Sequence, residues 1–228
     1  MERVVADLVA ARGVPVSIDA AHALADEIYP LVLEQRRKLW AMEAAALVDE
    51  FPGVTVPAVD VYPLTATRKL VRRVAGLTPE KRQNVQLELF DPATIEMVKT
   101  SVPAWTMPDD EAVIAAMKSR LSAGVSRHAK AASRDAVINT AAANRMRWAR
   151  QLSGAENCAF CAMLASRGAV YSEKTVTFQS HDHCDCTGTL VPDAGTWDGQ
   201  IEADALYSLW VKSEGLEDFG KRFREAGL

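Results

Sequence analysis

The chain has little of what builds a sheet-rich or disulfide-stapled fold. Its 228 residues include only four cysteines, and aromatic residues make up 7%. Scarce aromatics and abundant alanine disfavour sheets stabilised by aromatic and β-branched pairs and suit closely packed helices. All four cysteines fall between Cys158 and Cys186, too local a cluster for a framework of disulfides along the chain. No apolar run reaches the roughly 20 residues of a membrane-spanning helix, and the stretch around Ile28 to Leu33 is far shorter. The start, Met1-Glu2-Arg3-Val4-Val5, lacks the basic patch, apolar run and cleavage site of a secretory signal. The expectation is synthesis in a reducing cytoplasm with no membrane association. A charge excess is missing too: 26 basic against 30 acidic side chains give a net charge of -4, which excludes a surface built wholly for nucleic acid. What remains, 49% hydrophobic and 25% charged, is the composition of one globular domain or two small ones.

Apolar residues at Leu24, Ile28, Leu31, Leu39, Met42 and Leu47 predict a helix over residues 18–50, kinked or divided at Pro30. Three prolines and a glycine make 51–63 an extended connector, and 65–75 reads as helix again. Thr78-Pro79-Glu80 has the hydroxyl cap, first-turn proline and carboxylate of a helix start, which predicts a helix to about Leu89. Pro92, Pro103 and Pro108 punctuate the next stretch, leaving one short helix within 91–108. Asp109 is the expected cap of the next helix, with Val113, Met117 and Leu121 on one face. Gly124 weakens it, and residues 126–152 favour helix up to Gly154.

Residues 111–152 carry eight basic side chains against two acidic ones, about +6, leaving the remainder near -10. A solvated helix face is the plain reading of this run. A functional one makes Arg127, Lys130, Arg145, Arg147 and Arg150 contacts to DNA or to an acidic protein surface, because clustered cations release counterions from phosphates. Beyond Ala169 the texture favours short strands, with 187–191 as the second strand of a hairpin. Residues 192–200 form a turn-rich connector, and an amphipathic helical tail over 201–226 is split at Gly215.

The chemistry-bearing segment is Cys158-Ala159-Phe160-Cys161, followed by His181-Asp182-His183-Cys184-Asp185-Cys186. Two knuckles of thiolate and imidazole are what a closed tetrahedral zinc site requires. Cys158, Cys161 and His181, completed by Cys184 or Cys186, are the candidate ligands. Six donors compete for four places, so spacing alone leaves the set open. Disulfide pairing and unmetallated thiols packed as small hydrophobes are the alternatives.

Enzyme readings fit these residues less well. A thioredoxin-like dithiol needs a strand before its Cys-x-x-Cys, where this sequence reads as helix. A zinc deaminase needs His-x-Glu, but His22 and His128 are followed two residues on by Leu24 and Lys130. A His-Asn-His nuclease would want further histidine or asparagine on a downstream helix, and neither residue occurs after Cys186. A catalytic zinc keeps an open position, and here protein ligands are in excess.

The run Asn157 to Tyr171, then Phe178, His181, Cys184-Asp185-Cys186-Thr187 and Val191-Pro192, resembles the Mu F-like minor head proteins of tailed bacteriophages, especially those of actinobacteriophages. The likeness covers about residues 135–192. It implies a non-enzymatic virion protein, lying inside the capsid near the portal, that assists head assembly and genome packaging or ejection. Portal protein, major capsid or scaffold protein, and packaged DNA at the basic helix are the implied partners. Some relatives are labelled capsid maturation proteases. A serine protease needs a histidine beside its nucleophile, and outside the cluster only His22 and His128 are available, both in predicted helices. A maturation protease, a zinc-supported nuclease and a DNA-binding accessory protein stand as alternatives.

The expected fold is therefore mainly α. A helical amino-terminal region (1–108) precedes basic helices with a zinc-stabilised β-hairpin module (109–192), and a connector leads to a carboxy-terminal amphipathic helix (193–228).

Overall fold

A computed structural model describes residues 1–77, 111–153, 157–171, 185–193 and 196–227, together with the backbone of 85–91 and 96–102. The protein is mainly helical. Among the described residues the order is α1 (Glu2–Arg12), α2 (Ile18–Glu50), α3 (Leu64–Val74), β1 (Val85–Asp91), β2 (Glu96–Val102), α4 (Glu111–Asn144), β3 (Arg147–Gln151), α5 (Ala159–Ala165), β4 (Thr187–Val191), α6 (Gln200–Trp210) and α7 (Leu216–Ala226). The chain forms two compact units: residues 1–34 with 61–126, and residues 35–60 with 127–228. No helix among the described residues is long and apolar enough to cross a membrane.

The first unit is built on an all-helical core. Val5 and Val9 of α1, Leu24, Ile28 and Val32 of α2, Leu70 and Val71 of α3, and Met117, Leu121 and Val125 of α4 bury their side chains together. These residues recur at helical spacing, so each helix turns one stripe inward. Ser17 caps α2 through its hydroxyl, which accepts from the Ala20 amide at 3.1 Å. Pro30 lies inside α2, and the helix continues through it undivided. Gly124 likewise sits within a continuous α4. A methyl group there would meet Leu70 Cδ1 at 2.6 Å, so the glycine admits α3 rather than ending the helix. Arg68 and Asp26 form a two-pronged pair at 2.9 and 2.8 Å.

Two segments read as helix are strands. Residues 85–91 and 96–102 pair antiparallel, Val85 opposite Val102 through Asp91 opposite Glu96. The missed signal is period-two alternation, Val85, Leu87 and Leu89 against Gln86 and Glu88. The cap proposed at Thr78 and that at Asp109 lie outside the described residues.

In the second unit, α4 stops well before Gly154. Arg145 takes a left-handed conformation at φ 56°. Its amide donates to the Ala142 carbonyl at 3.3 Å, and the Met146 amide reaches back to Ala141 at 2.8 Å. This pair of bonds closes a helix in the Schellman manner, with arginine where glycine is usual. Asn144 then holds the connector: its side chain donates to the Thr55 carbonyl at 2.8 Å and accepts from the Thr55 amide at 2.9 Å.

Residues 147–151 leave the turn as β3 and pair antiparallel with β4, Arg147 opposite Val191 and Gln151 opposite Thr187. The predicted strand at 187–191 is present and pairs with β3; residues 172–184, where the expected hairpin's first strand falls in part, lie outside the described residues. Trp148 stacks on Tyr171 with ring centres 4.6 Å apart and shares a core with Leu47, Val137 and Leu190. Gly188 lets β4 approach α4, since a methyl there would lie 3.1 Å from Val137 Cγ1. The tail is two helices, parted at Gly215 as expected.

The α2 stripe holds at Leu24, Ile28 and Leu47 but fails at Met42, which is 69% exposed. Arg36 takes an inward place instead, donating to the His128 carbonyl at 2.7 Å and to Asp135 at 3.3 Å.

Two variants probe these features. Arg145→Gly relieves a left-handed side chain at the end of α4 and is expected to raise stability by about 0.5–1 kcal/mol in urea unfolding, after allowance for the looser unfolded chain. Burial pushes the Glu43 carboxyl above the ordinary carboxylate range, and Glu50 adds to the rise, against a Ser133 hydrogen bond that lowers it. The folded chain therefore holds this proton more tightly than the unfolded one, so the group's contribution to stability falls as pH rises from the unfolded value through the raised one. Glu43→Gln is expected to gain stability at pH 7 and to match the wild type near about pH 4, where the glutamate is largely protonated in the folded chain.

Candidate metal centre

The β3–β4 pair brings together two stretches far apart in sequence. The chain leaves β3 at Gln151, forms α5, and returns at Cys186 just before β4. Cys158 is the N-cap of α5, with extended backbone, and its sulfur accepts from the Cys161 amide at 3.3 Å. A thiol thus fills the place that serine or aspartate usually takes at a helix start. One turn on, the Cys161 sulfur lies 3.5 Å from that of Cys186. This is well beyond the roughly 2.05 Å of a disulfide. It is close to the roughly 3.8 Å separating two sulfurs each about 2.3 Å from one tetrahedral zinc ion.

Both sulfurs are deeply buried. Cys161 and Cys186 are 3% and 1% exposed and share a core with Leu152, Ala162, Ala165, Leu206, Phe219 and Phe223. Phe219 packs edge-on against Trp210 at 5.5 Å and stacks with Phe223 at 6.1 Å. Helices α6 and α7 therefore lie on α5 and close the cysteine core, so the amphipathic tail packs on its own unit. Gly220 permits that approach, because a methyl group there would stand 3.0 Å from Ala159 Cβ.

Three cations hold the returning strand. Arg134 of α4, buried, donates through Nε to the Cys186 carbonyl at 2.9 Å. Lys130, one turn earlier, is ion-paired with Asp185, whose carbonyl also accepts from the Ser153 hydroxyl. Arg150 of β3 is 2% exposed. Its Nη1 donates to the Cys186 sulfur at 3.1 Å and stands 3.9 Å from that of Cys161.

This arrangement redistributes the basic stripe read from the sequence. Arg145, Arg147 and Arg150 do not continue a helix: the first is the left-handed turn residue, and the other two lie on β3. Arg150 is inside the protein, so it presents no charge at a surface. Lys130 is engaged with Asp185 and Arg127 is half-buried, whereas Arg145 and Arg147 are exposed.

Of the predicted ligands, the structure brings together Cys158, Cys161 and Cys186. His181 and Cys184 lie outside the described residues. Among the described residues alone, no group of three or more histidine, cysteine, aspartate or glutamate side chains closes into a metal site. What the described residues offer a soft ion is two sulfurs 3.5 Å apart and a third at the adjacent helix cap. Sequence reasoning missed Arg150 and Arg134 as partners of the cysteine segment. Nothing local marks them, since both sit in a run of basic residues read as one exposed face.

A mainly helical protein with a buried cysteine knuckle fastened by a two-stranded sheet is the class that fold and site define. The chain matches the VG15 protein family over residues 17–213, most of its length, and belongs to that family of phage virion-gene proteins. No curated protein and no solved structure matches it.

Phe219 seals the cysteine core, so Phe219→Ala is expected to cost about 3–5 kcal/mol. Native-state alkylation of Cys161 should accelerate at least about tenfold as the cover loosens, read by mass spectrometry after a timed maleimide pulse.

Proposed function

We propose that this phage protein is a non-enzymatic minor head protein, lying inside the capsid near the portal and assisting head assembly and genome packaging or ejection. The observation that carries the reading is the convergence of Cys158, Cys161 and Cys186 beneath the aromatic cover of α6 and α7, taken with membership of a phage virion-gene family. One zinc ion, held by these three sulfurs with Cys184 or His181 as the fourth ligand, supplies a cross-link between α5 and the strand leading into β4. Such an ion acts by restraining the chain, and burial of its ligands supports a structural role over a catalytic one, which needs an open position.

The exposed Arg145 and Arg147 are the basic side chains offered to packaged DNA or to an acidic portal surface. The likeness to Mu F-like proteins over residues 135–192 supports the capsid setting, the portal and scaffold partners, and synthesis in the host cytoplasm before incorporation.

Particles purified from infected cells test the proposal. The expected result is a low copy number of the chain in the virion, co-purification with portal protein from disrupted heads, and about one zinc per isolated chain. Absence from particles, or peptide-bond or nucleic-acid cleavage lost on a cysteine-to-serine change that leaves the fold intact, would favour the maturation protease or nuclease instead.

A further inference from the structure

Helix α6 is apolar on two sides, and its own unit covers one of them. Ala203 and Leu206 are buried, Leu206 within the cysteine core, and Leu209 and Trp210 pack against that core. On the other side Ile201, Tyr207 and Val211 are 88%, 55% and 58% exposed. With 3.6 residues per turn, these three fall with Asp204 and Ser208 on one side of the helix, in a stripe roughly 15 Å long. Single exposed apolar residues are ordinary on a protein surface. A surface helix normally carries one apolar stripe, however, and a second one facing water marks a contact surface.

The charges around the stripe say what covers it. From Asp198 to Glu217 the sequence has five carboxylates, Asp198, Glu202, Asp204, Glu214 and Glu217, and one cation, Lys212. Asp198 and Asp204 are exposed. Among the described residues, Asp198, Glu202 and Asp204 are in no ion pair. Asp198 accepts a hydrogen bond from the neutral Gln151 side chain at 2.9 Å. Carboxylates crowd one another here: burial and then the Asp198 charge push the Glu202 carboxyl up, and Glu50, at the end of α2, is raised by the same two causes. An approaching cation relieves such repulsion.

We propose that the outer face of α6 docks a basic amphipathic helix of a partner protein. The partner's apolar side chains cover Ile201, Tyr207 and Val211, and its Lys or Arg side chains meet Asp198 and Asp204. The proposal goes beyond the head-protein reading and is independent of any metal. Nucleic acid does not fit, because phosphates are repelled by the same carboxylates. A second copy using this face fits poorly too, since a two-fold contact opposes a patch to itself and would bring acid against acid. A contact of about three helical turns is small, so the complex is weak and reversible, and salt loosens its charged part.

The test places a photoreactive phenylalanine analogue at position 201 or, separately, at position 207 of the full chain, made in phage-infected cells and irradiated before lysis. Cross-linked peptides are sequenced by mass spectrometry. The expected result from both positions is one partner protein, joined through a segment in which Lys or Arg flank apolar residues at helical spacing. The analogue at Lys221, exposed on α7, should not yield that peptide. Asp204→Lys should lower the yield from position 207 at least about tenfold, and Ile201→Asp should do the same. Both side chains are exposed, so the fold is retained, as circular dichroism checks; if one variant fails to fold, the other carries the comparison. Cross-links to DNA, to a second copy, back into the same chain or to a segment without basic residues would overturn the proposal. So would the absence of any cross-link, or yields from a folded variant that charge reversal leaves unmoved.

Discussion

The second unit depends on the meeting of Cys161 and Cys186 beside the Arg150 guanidinium. Neither sulfur would reach the other without the antiparallel register of β3 and β4, which sets Arg150 opposite Gly188, two residues past Cys186. That register in turn depends on α4 ending at Asn144, since a helix continued to residue 152 would leave β4 without its partner. The left-handed Arg145 is therefore the hinge of the arrangement: a single strained dihedral converts a long helix into the strand that carries the buried cation. The hydrophobic cover of α6 and α7 then moves the sulfurs out of water into a low-dielectric interior, in which an N–H···S bond is worth more.

The helical character of the chain was legible because its apolar residues repeat at helical spacing over long stretches. Helices α2, α3, α6 and α7 lie close to the expected boundaries, and Gly215 parts the tail as its missing side chain suggested. The failures differ in cause. At Val85–Asp91 a local period-two alternation was passed over and the strand pairs with its near neighbour β2, whereas at Arg147–Gln151 the local residues tolerate either helix or strand and pairing with the distant β4 decides. Proline at position 30 and glycine at position 124 misled in the opposite direction. Tertiary packing holds both helices continuous, against local preferences that amount to only about 1–3 kcal/mol.

At the candidate site the nearness of the cysteines was legible and their surroundings were opaque. Cys-x-x-Cys and a second soft-ligand knuckle announce themselves by spacing, and the structure gathers Cys158, Cys161 and Cys186. The basic residues gave no such clue. Arg134 and Arg150 look in sequence like Arg145 and Arg147, yet the first pair is buried against the cysteine segment and the second is exposed. Charge counting along a chain cannot separate a surface from an interior when a helix ends where none was foreseen. The first unit shows the plainer case, with a core of aliphatic side chains on four helices and polar links such as Arg68 with Asp26 at its margin.

The order of the elements along the chain also has a temporal meaning. Helix α7, whose Phe219 and Phe223 close over the cysteines, is translated after them, and at about 5–20 residues per second the ribosome needs roughly two to seven seconds to pass from Cys186 to Phe223. During that interval the thiols emerge without their aromatic cover, and they leave solvent only when α7 docks over them, so the last helix to be made is the one that ends their exposure.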